Sequence, residues 1–156
     1  MKAIQTIVCL LALSSFDIAQ AEQIAEKPAV QMSAEQGDAL AQAQLGALYL
    51  LGRDGFSVDE KEASGWLLKA AEQGLLEAEV MVAAMYDRGM GFAQDVKKAT
   101  QWYEKAAAKG HGASLAILGK NEAPKGSVGF NYQAIRLRAS KQIPHEYAKK
   151  ILLMKK

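Results

Sequence analysis

Two stretches of this chain carry one pattern, written twice. Gly37 to Ala71 aligns with Gly74 to Ala107: Tyr49 falls on Tyr86, Gly52 on Gly89, Asp59 on Asp95, Ala63 on Ala99 and Trp66 on Trp102. Landmarks up to Gly52 recur after 37 residues and those from Gly55 onward after 36, because Gly52-Arg53-Asp54-Gly55 shortens to Gly89-Met90-Gly91. A period of this length marks a solenoid, whose units are too small to bury their own apolar faces and must stack on neighbours. The expected fold is therefore all-α, a right-handed α-solenoid of antiparallel helix pairs.

Each unit reads as two helices. Asp38 to Leu51 is rich in Ala and Leu, lacks proline and β-branched residues, and starts at an acidic residue suited to a helix N-terminus. Gly52 to Gly55 breaks it. Asp59 then caps a helix to about Gln73, with Glu62 at capping-box spacing and Gly74 as the stop. The second unit repeats the plan with Leu75 to Arg88, a turn over Gly89 to Gln94, and a helix from Asp95 to Lys109 that Gly110 ends.

Weaker copies flank the pair. Ala34-Glu35-Gln36-Gly37 matches Ala71-Glu72-Gln73-Gly74, so a preceding second-type helix is expected from about Pro28. Leu118-Gly119 falls where Leu45-Gly46 stands in the first unit, predicting a third first-type helix over His111 to Glu122. Beyond a Pro/Gly/Lys connection at 123–129, one helix is expected over Asn131 to Gln142 and another over Pro144 to Met154. Divergent end units are what a stack needs to close its two ends. The expected division is a leader over 1–21, an N-terminal segment and partial capping helix over 22–33, the solenoid over 34–122, and basic capping helices over 123–156.

The leader follows from Lys2, the short apolar run Ile7 to Leu13, and the small residues of Ala19-Gln20-Ala21. The run falls short of the roughly 20 residues that span a bilayer, so cleavage before Glu22 and export to the periplasm or beyond are expected. The one cysteine, Cys9, lies inside that run, without the small residues that precede a lipid-attachment site. The remaining chain of about 135 residues suits one domain, and without cysteine it must hold together by packing alone.

Charge is unevenly spread. Residues 22–124 carry 15 acidic and 10 basic side chains, whereas 125–156 carry 8 basic and 1 acidic. This balance argues against a nucleic-acid binder. It marks a basic patch at Arg136, Arg138 and Lys141, to be read either as a cap on the acidic body or as a contact for an acidic partner or an anionic envelope surface.

Taken together, Ala34-Glu35-Gln36-Gly37-Asp38, Ala41, Leu45-Gly46, Tyr49, Gly52 and Ala63-Ser64-Gly65-Trp66-Leu67-Leu68-Lys69-Ala70-Ala71 resemble the Sel-one-like repeat, a relative of the tetratricopeptide repeat. The second unit is similar through Ala78, Tyr86, Gly89, Asp95, Ala99, Trp102-Tyr103 and Lys105-Ala106-Ala107, and departs in Val82-Ala83. The resemblance covers residues 34 to 119. It implies a non-catalytic adaptor, exported and most simply periplasmic, with another protein of the envelope or a secreted component as partner. Tyr49, Gly52, Trp66, Tyr86, Gly89 and Trp102 then read as the structural frame, the aromatics filling gaps between helices.

In the tetratricopeptide architecture the first helix of each pair lines the concave face. The corresponding inward positions are Leu40, Ala43, Ala47 and Leu50 in the first unit, Glu77, Val80, Ala84, Asp87 and Arg88 in the second, and Lys120 in the third. A groove of this kind suits an extended or helical segment with an apolar end and a charged end. No catalytic constellation stands out. His111 and His145 lie in different segments without neighbouring metal-type ligands and read as surface or capping residues. The serines lack partner motifs, and the glycine-rich turns follow no strand. No cofactor, metal or catalytic residue is expected. The alternatives are a cell-wall or glycan-binding accessory protein and, on the resemblance to exported relatives, a β-lactam-binding or -hydrolysing enzyme; the cysteine pairs of those relatives are absent here.

Overall fold

A computed structural model describes residues 28–119 and 132–155, which form seven helices. They are α1 (Ala29–Glu35), α2 (Ala39–Leu51), α3 (Glu60–Glu72), α4 (Leu76–Arg88), α5 (Val96–Ala108), α6 (Gly112–Ile117) and α7 (Tyr132–Leu153). The chain is an α-solenoid. Helices α2/α3 and α4/α5 are the two repeat units, each helix packs on its sequence neighbour, and α7 returns to lie across α2, α4 and α6.

The expected start signals act as expected. Asp38 accepts the Ala41 N–H, Asp59 accepts those of Lys61 and Glu62, and Asp95 accepts that of Lys98, satisfying amides that a helix leaves unpaired at its start. Both first-type helices end on a left-handed glycine, Gly52 and Gly89. The turns that follow close alike: the Asp59 N–H donates to the Tyr49 carbonyl and the Asp95 N–H to that of Tyr86.

Small residues set how closely the helices approach. A Cβ on Gly46 would lie 2.7 Å from Leu67 Cγ and 3.0 Å from the Ala63 carbonyl oxygen, so α2 and α3 cross there at backbone distance. Gly91 does the same between units, where a Cβ would run into the Glu60 carbonyl and the Ser64 hydroxyl of α3. Its counterpart Gly55 faces open space. The frame aromatics divide. Trp66 and Trp102 are half-buried at the edge of the core, each with a lysine ammonium over its ring, Lys69 at 3.8 Å and Lys105 at 3.9 Å. Among the described residues the fully buried aromatic is Tyr103.

Two expectations need correcting at the C-terminal side. The third first-type helix is six residues long and turns at Gly119, whose φ of +67° is left-handed, instead of running to Glu122. The two helices expected around Pro144 are one. Proline inside a helix costs about 3 kcal/mol through its missing N–H and its ring. Here Ile143, Pro144, Ala148 and Ile151 are all buried on the same side of α7. Apolar burial of roughly 1.5–3 kcal/mol per large side chain offsets the break.

The two helices of each unit are joined by a polar staple that changes chemistry along the stack. Where α3 meets α2, the Gln73 amide donates to Gln42 Oε1 at 2.7 Å and to the Gly37 carbonyl at 3.0 Å. One repeat later Lys109 replaces Gln73 and Glu79 replaces Gln42: Lys109 Nζ donates to Glu79 Oε1 at 2.7 Å and to the Gly74 carbonyl at 2.8 Å. Glu79 is 3% exposed, and Lys109 is the cation paired with it. Lys109→Ala should destabilise the fold by roughly 2 kcal/mol, since a buried carboxylate loses its partner. The pair Glu79→Gln with Lys109→Gln, which copies the first unit, should recover most of that loss in a double-mutant cycle followed by chemical denaturation.

Candidate functional site

The inner face of the stack is the place to look for a site, and it is occupied. Ala43, Ala47, Leu50, Val80 and Ala84 are buried and share one cluster with Ile143, Ala148 and Ile151 of α7. Leu40 is half-buried, Arg88 is exposed, and Lys120 lies outside the described residues. The sequence pattern thus marks inner-face positions that α7 of the same chain covers. Alternation explains why α2 and α4 are small and apolar there: a helix must come within packing distance of both.

Each first-type helix adds a polar hold on α7. From α2, the Gln44 amide donates to the Met154 carbonyl at 3.0 Å. From α4 come two carboxylates. Asp87, with a side chain 7% exposed, receives both Arg136 Nη2–H at 2.7 Å and Nε–H at 2.8 Å, a two-pronged geometry that planar guanidinium suits. Arg136 also donates to the Val96 carbonyl and the Thr100 hydroxyl of α5. Glu77 pairs with Lys150 at 3.1 Å. At α6, His111 Nε2 lies 2.6 Å from the Tyr147 hydroxyl.

The electrostatics follow from burial. The hydrogen bond to Asp87 raises the Arg136 pKa above its already high ordinary value, against the opposing effect of burial. Tyr103 sits behind this pair with its hydroxyl unpartnered among the described residues, and burial first, then Asp87, pushes its pKa well above the ordinary value. His111 caps α6, its Nδ1 accepting the Ser114 N–H at 3.1 Å. The neutral ring therefore carries its proton on Nε2 and donates it to Tyr147. Burial and then Lys150 lower the His111 pKa below 6.5, with Glu77 opposing. Burial raises that of Tyr147.

The basic patch is split by this arrangement. Arg136 points into the groove and is spent on Asp87, whereas Arg138 and Lys141 are exposed on the outward side of α7. His145 is exposed, while His111 is a cap with a second contact that links α6 to α7. Sequence reading passed over that link, and over Glu77–Lys150, because each joins a repeat residue to one outside the repeat. Among the described residues no group of three His, Cys, Asp or Glu side chains is disposed to hold a metal ion. No helix among them is long and apolar enough to cross a membrane.

Comparison with known proteins agrees with this architecture. The Sel1 repeat profile matches residues 39–75 and 76–111, the two helix pairs described above. A Sel1 repeat protein from Oxalobacter formigenes, known from its crystal structure, is 39% identical over 59% of this chain and 68% of its own, with a TM-score of 0.56. The chain belongs to the Sel1 repeat family. Comparison with curated proteins gives no match. Sel1 repeat solenoids generally serve as protein–protein interaction scaffolds and are typically non-catalytic adaptors. In this Sel1 repeat protein a helix already lies where the first helices of the pairs converge.

Two measurements check the site. Arg136→Glu should lower stability by about 3 kcal/mol, because it sets a second carboxylate against buried Asp87. Arg138→Glu with Lys141→Glu should shift the melting temperature little, since exposed charges are worth under about 1 kcal/mol. The second check concerns pH. A histidine whose folded pKa is lowered binds its proton more readily when unfolded, so its contribution is present above pH 6.5 and lost as the pH falls toward the folded value. Melting temperature should therefore drop more steeply in the parent than in His111→Asn between about pH 7.5 and about pH 5.5, because asparagine caps the helix without titrating there.

Proposed function

We propose that this protein is an exported, non-catalytic adaptor that works in a bacterial envelope, most simply the periplasm, by holding another protein against its helical stack. One observation carries the reading. Side chains from all three first-type helices, Gln44, Glu77 with Asp87, and His111, converge on a single helix laid along the inner face. A surface that grips a helix with apolar contact and oriented polar groups is the equipment of a helix-in-groove binder. Export rests on the short apolar run ending in Ala19-Gln20-Ala21.

The outward cations Arg138, Lys141 and Lys149 favour a second reading, a cell-wall or glycan-binding accessory that meets an anionic polymer through them. Crosslinking in intact cells followed by mass spectrometry separates the two. A discrete envelope protein joined to the stack is expected. Recovery of the chain only with sedimenting wall polymer, in a manner that rising salt abolishes, overturns the adaptor reading. N-terminal sequencing of the exported product should begin at Glu22, and Met1 retained on a membrane-bound product would sink the export claim.

A further inference from the structure

We propose that the inner groove is a receptor for a basic amphipathic helix of a partner protein, and that α7 is a built-in occupant with which this helix competes. The inference rests on the adaptor reading and names the chemistry its partner must present. That helix carries an arginine to fork onto Asp87 and, about four turns on, a lysine for Glu77. Along its apolar side lie branched or small residues in the places of Ile143, Ala148 and Ile151.

Three observations support a receptor over a plain lid. First, covering an apolar inner face does not call for buried charge: an ion pair such as Asp87–Arg136 adds little stability over apolar residues of similar volume. What it adds is orientation and discrimination, because a helix without the arginine leaves Asp87 unpaired. Second, α7 is a poor helix by itself. Pro144 interrupts its hydrogen bonds, so its helicity depends on the groove, as in segments that fold on binding. Third, it fits incompletely. Leu137 and Leu153, near its two ends, are 59% and 81% exposed. The staples of the repeat frame, Gln42–Gln73 and Glu79–Lys109, involve no residue of α7, so exchanging the occupant leaves them in place.

The test uses the full chain and, as probe, a fluorescein-labelled synthetic peptide of residues 132–155, read by anisotropy. In the parent the tethered α7 holds the groove, and apparent affinity is reduced by the fraction of chains whose groove is closed. Arg136→Ala and Lys150→Ala each weaken only the tethered competitor, so Arg136→Ala should bind the peptide at least about tenfold more tightly than the parent and Lys150→Ala, whose charge is exposed, about two- to fivefold more tightly. Adding Asp87→Asn to Arg136→Ala should abolish that gain, and Arg138→Ala should leave binding at the parental level. If Arg136→Ala fails to fold, Lys150→Ala decides, because its side chain is 59% exposed. Variants that remain helical by circular dichroism yet bind no more tightly than the parent overturn the proposal. So does a parent chain that light scattering shows to be a dimer exchanging α7, since the groove then serves a second copy. A partner found by crosslinking alongside failed peptide binding would leave the adaptor reading standing and remove only the groove. Peptide binding without any cellular partner would do the reverse.

Discussion

A stack of two helix pairs leaves its concave side bare, and the architecture of this protein turns on how that side is closed. The first-type helices α2 and α4 are buried almost all round: Ala43, Ala47, Val80 and Ala84 have no solvent exposure. A helix apolar on every side belongs inside a protein. The second-type helices α3 and α5 cover one side and α7 covers the other. Remove α7, and the inner flank of α2 and α4 meets water, in a chain whose single cysteine can form no internal disulfide. Small domains have little stability to spare, so the inner face must be filled by something, in cis or in trans.

The frame around that face is built for repetition rather than identity. Within successive units a neutral amide pair, Gln42–Gln73, gives way to a charged one, Glu79–Lys109, with both donors also reaching a glycine carbonyl of the preceding turn. Two chemistries thus satisfy one geometric requirement, a donor at the end of a second-type helix long enough to bridge back to the first-type helix of its own unit. Gly91 shows the complementary case. Its position is sterically closed because α3 lies against it, while Gly55, with nothing stacked on it, is open. What constrains a residue is its neighbour across the junction, not its place in the motif.

That distinction explains what could be read in advance. The helices of the two full units lie within a residue or two of where periodicity, Asp caps and Gly stops place them, because those signals are local. The ring contacts Tyr49–Phe56 and Tyr86–Phe92 recur with the repeat as well. The path of α7 was not legible in advance. Pro144 is a strong local signal for a break, and it was overridden by burial on both sides of it, a tertiary effect invisible in the dipeptide. The link between Asp87 and Arg136 spans 49 residues and ties a repeat position to a segment outside the repeat, so no periodicity points to it. Positions lining the inner face could be named from alignment of the units, but not what covers them.

The charge split along the chain takes on a definite meaning once α7 is in place. A basic end and an acidic body would attract one another in a diffuse way whatever the fold. Here the attraction is resolved into two contacts of unequal character. Asp87–Arg136 is shielded and geometrically demanding, and Glu77–Lys150 is more open to solvent. Salt screens charges that face solvent and reaches buried pairs much less, so it weakens the open contact more than the shielded one. The two ends of α7 are therefore held by different means. Salt and the titration of His111 act on the Lys150 end, where the helix also meets Tyr147, while the Arg136 end answers to loss of the buried pair. On the competition proposed above, the Lys150 end is the one an incoming helix would displace first, meeting the Glu77 carboxylate there.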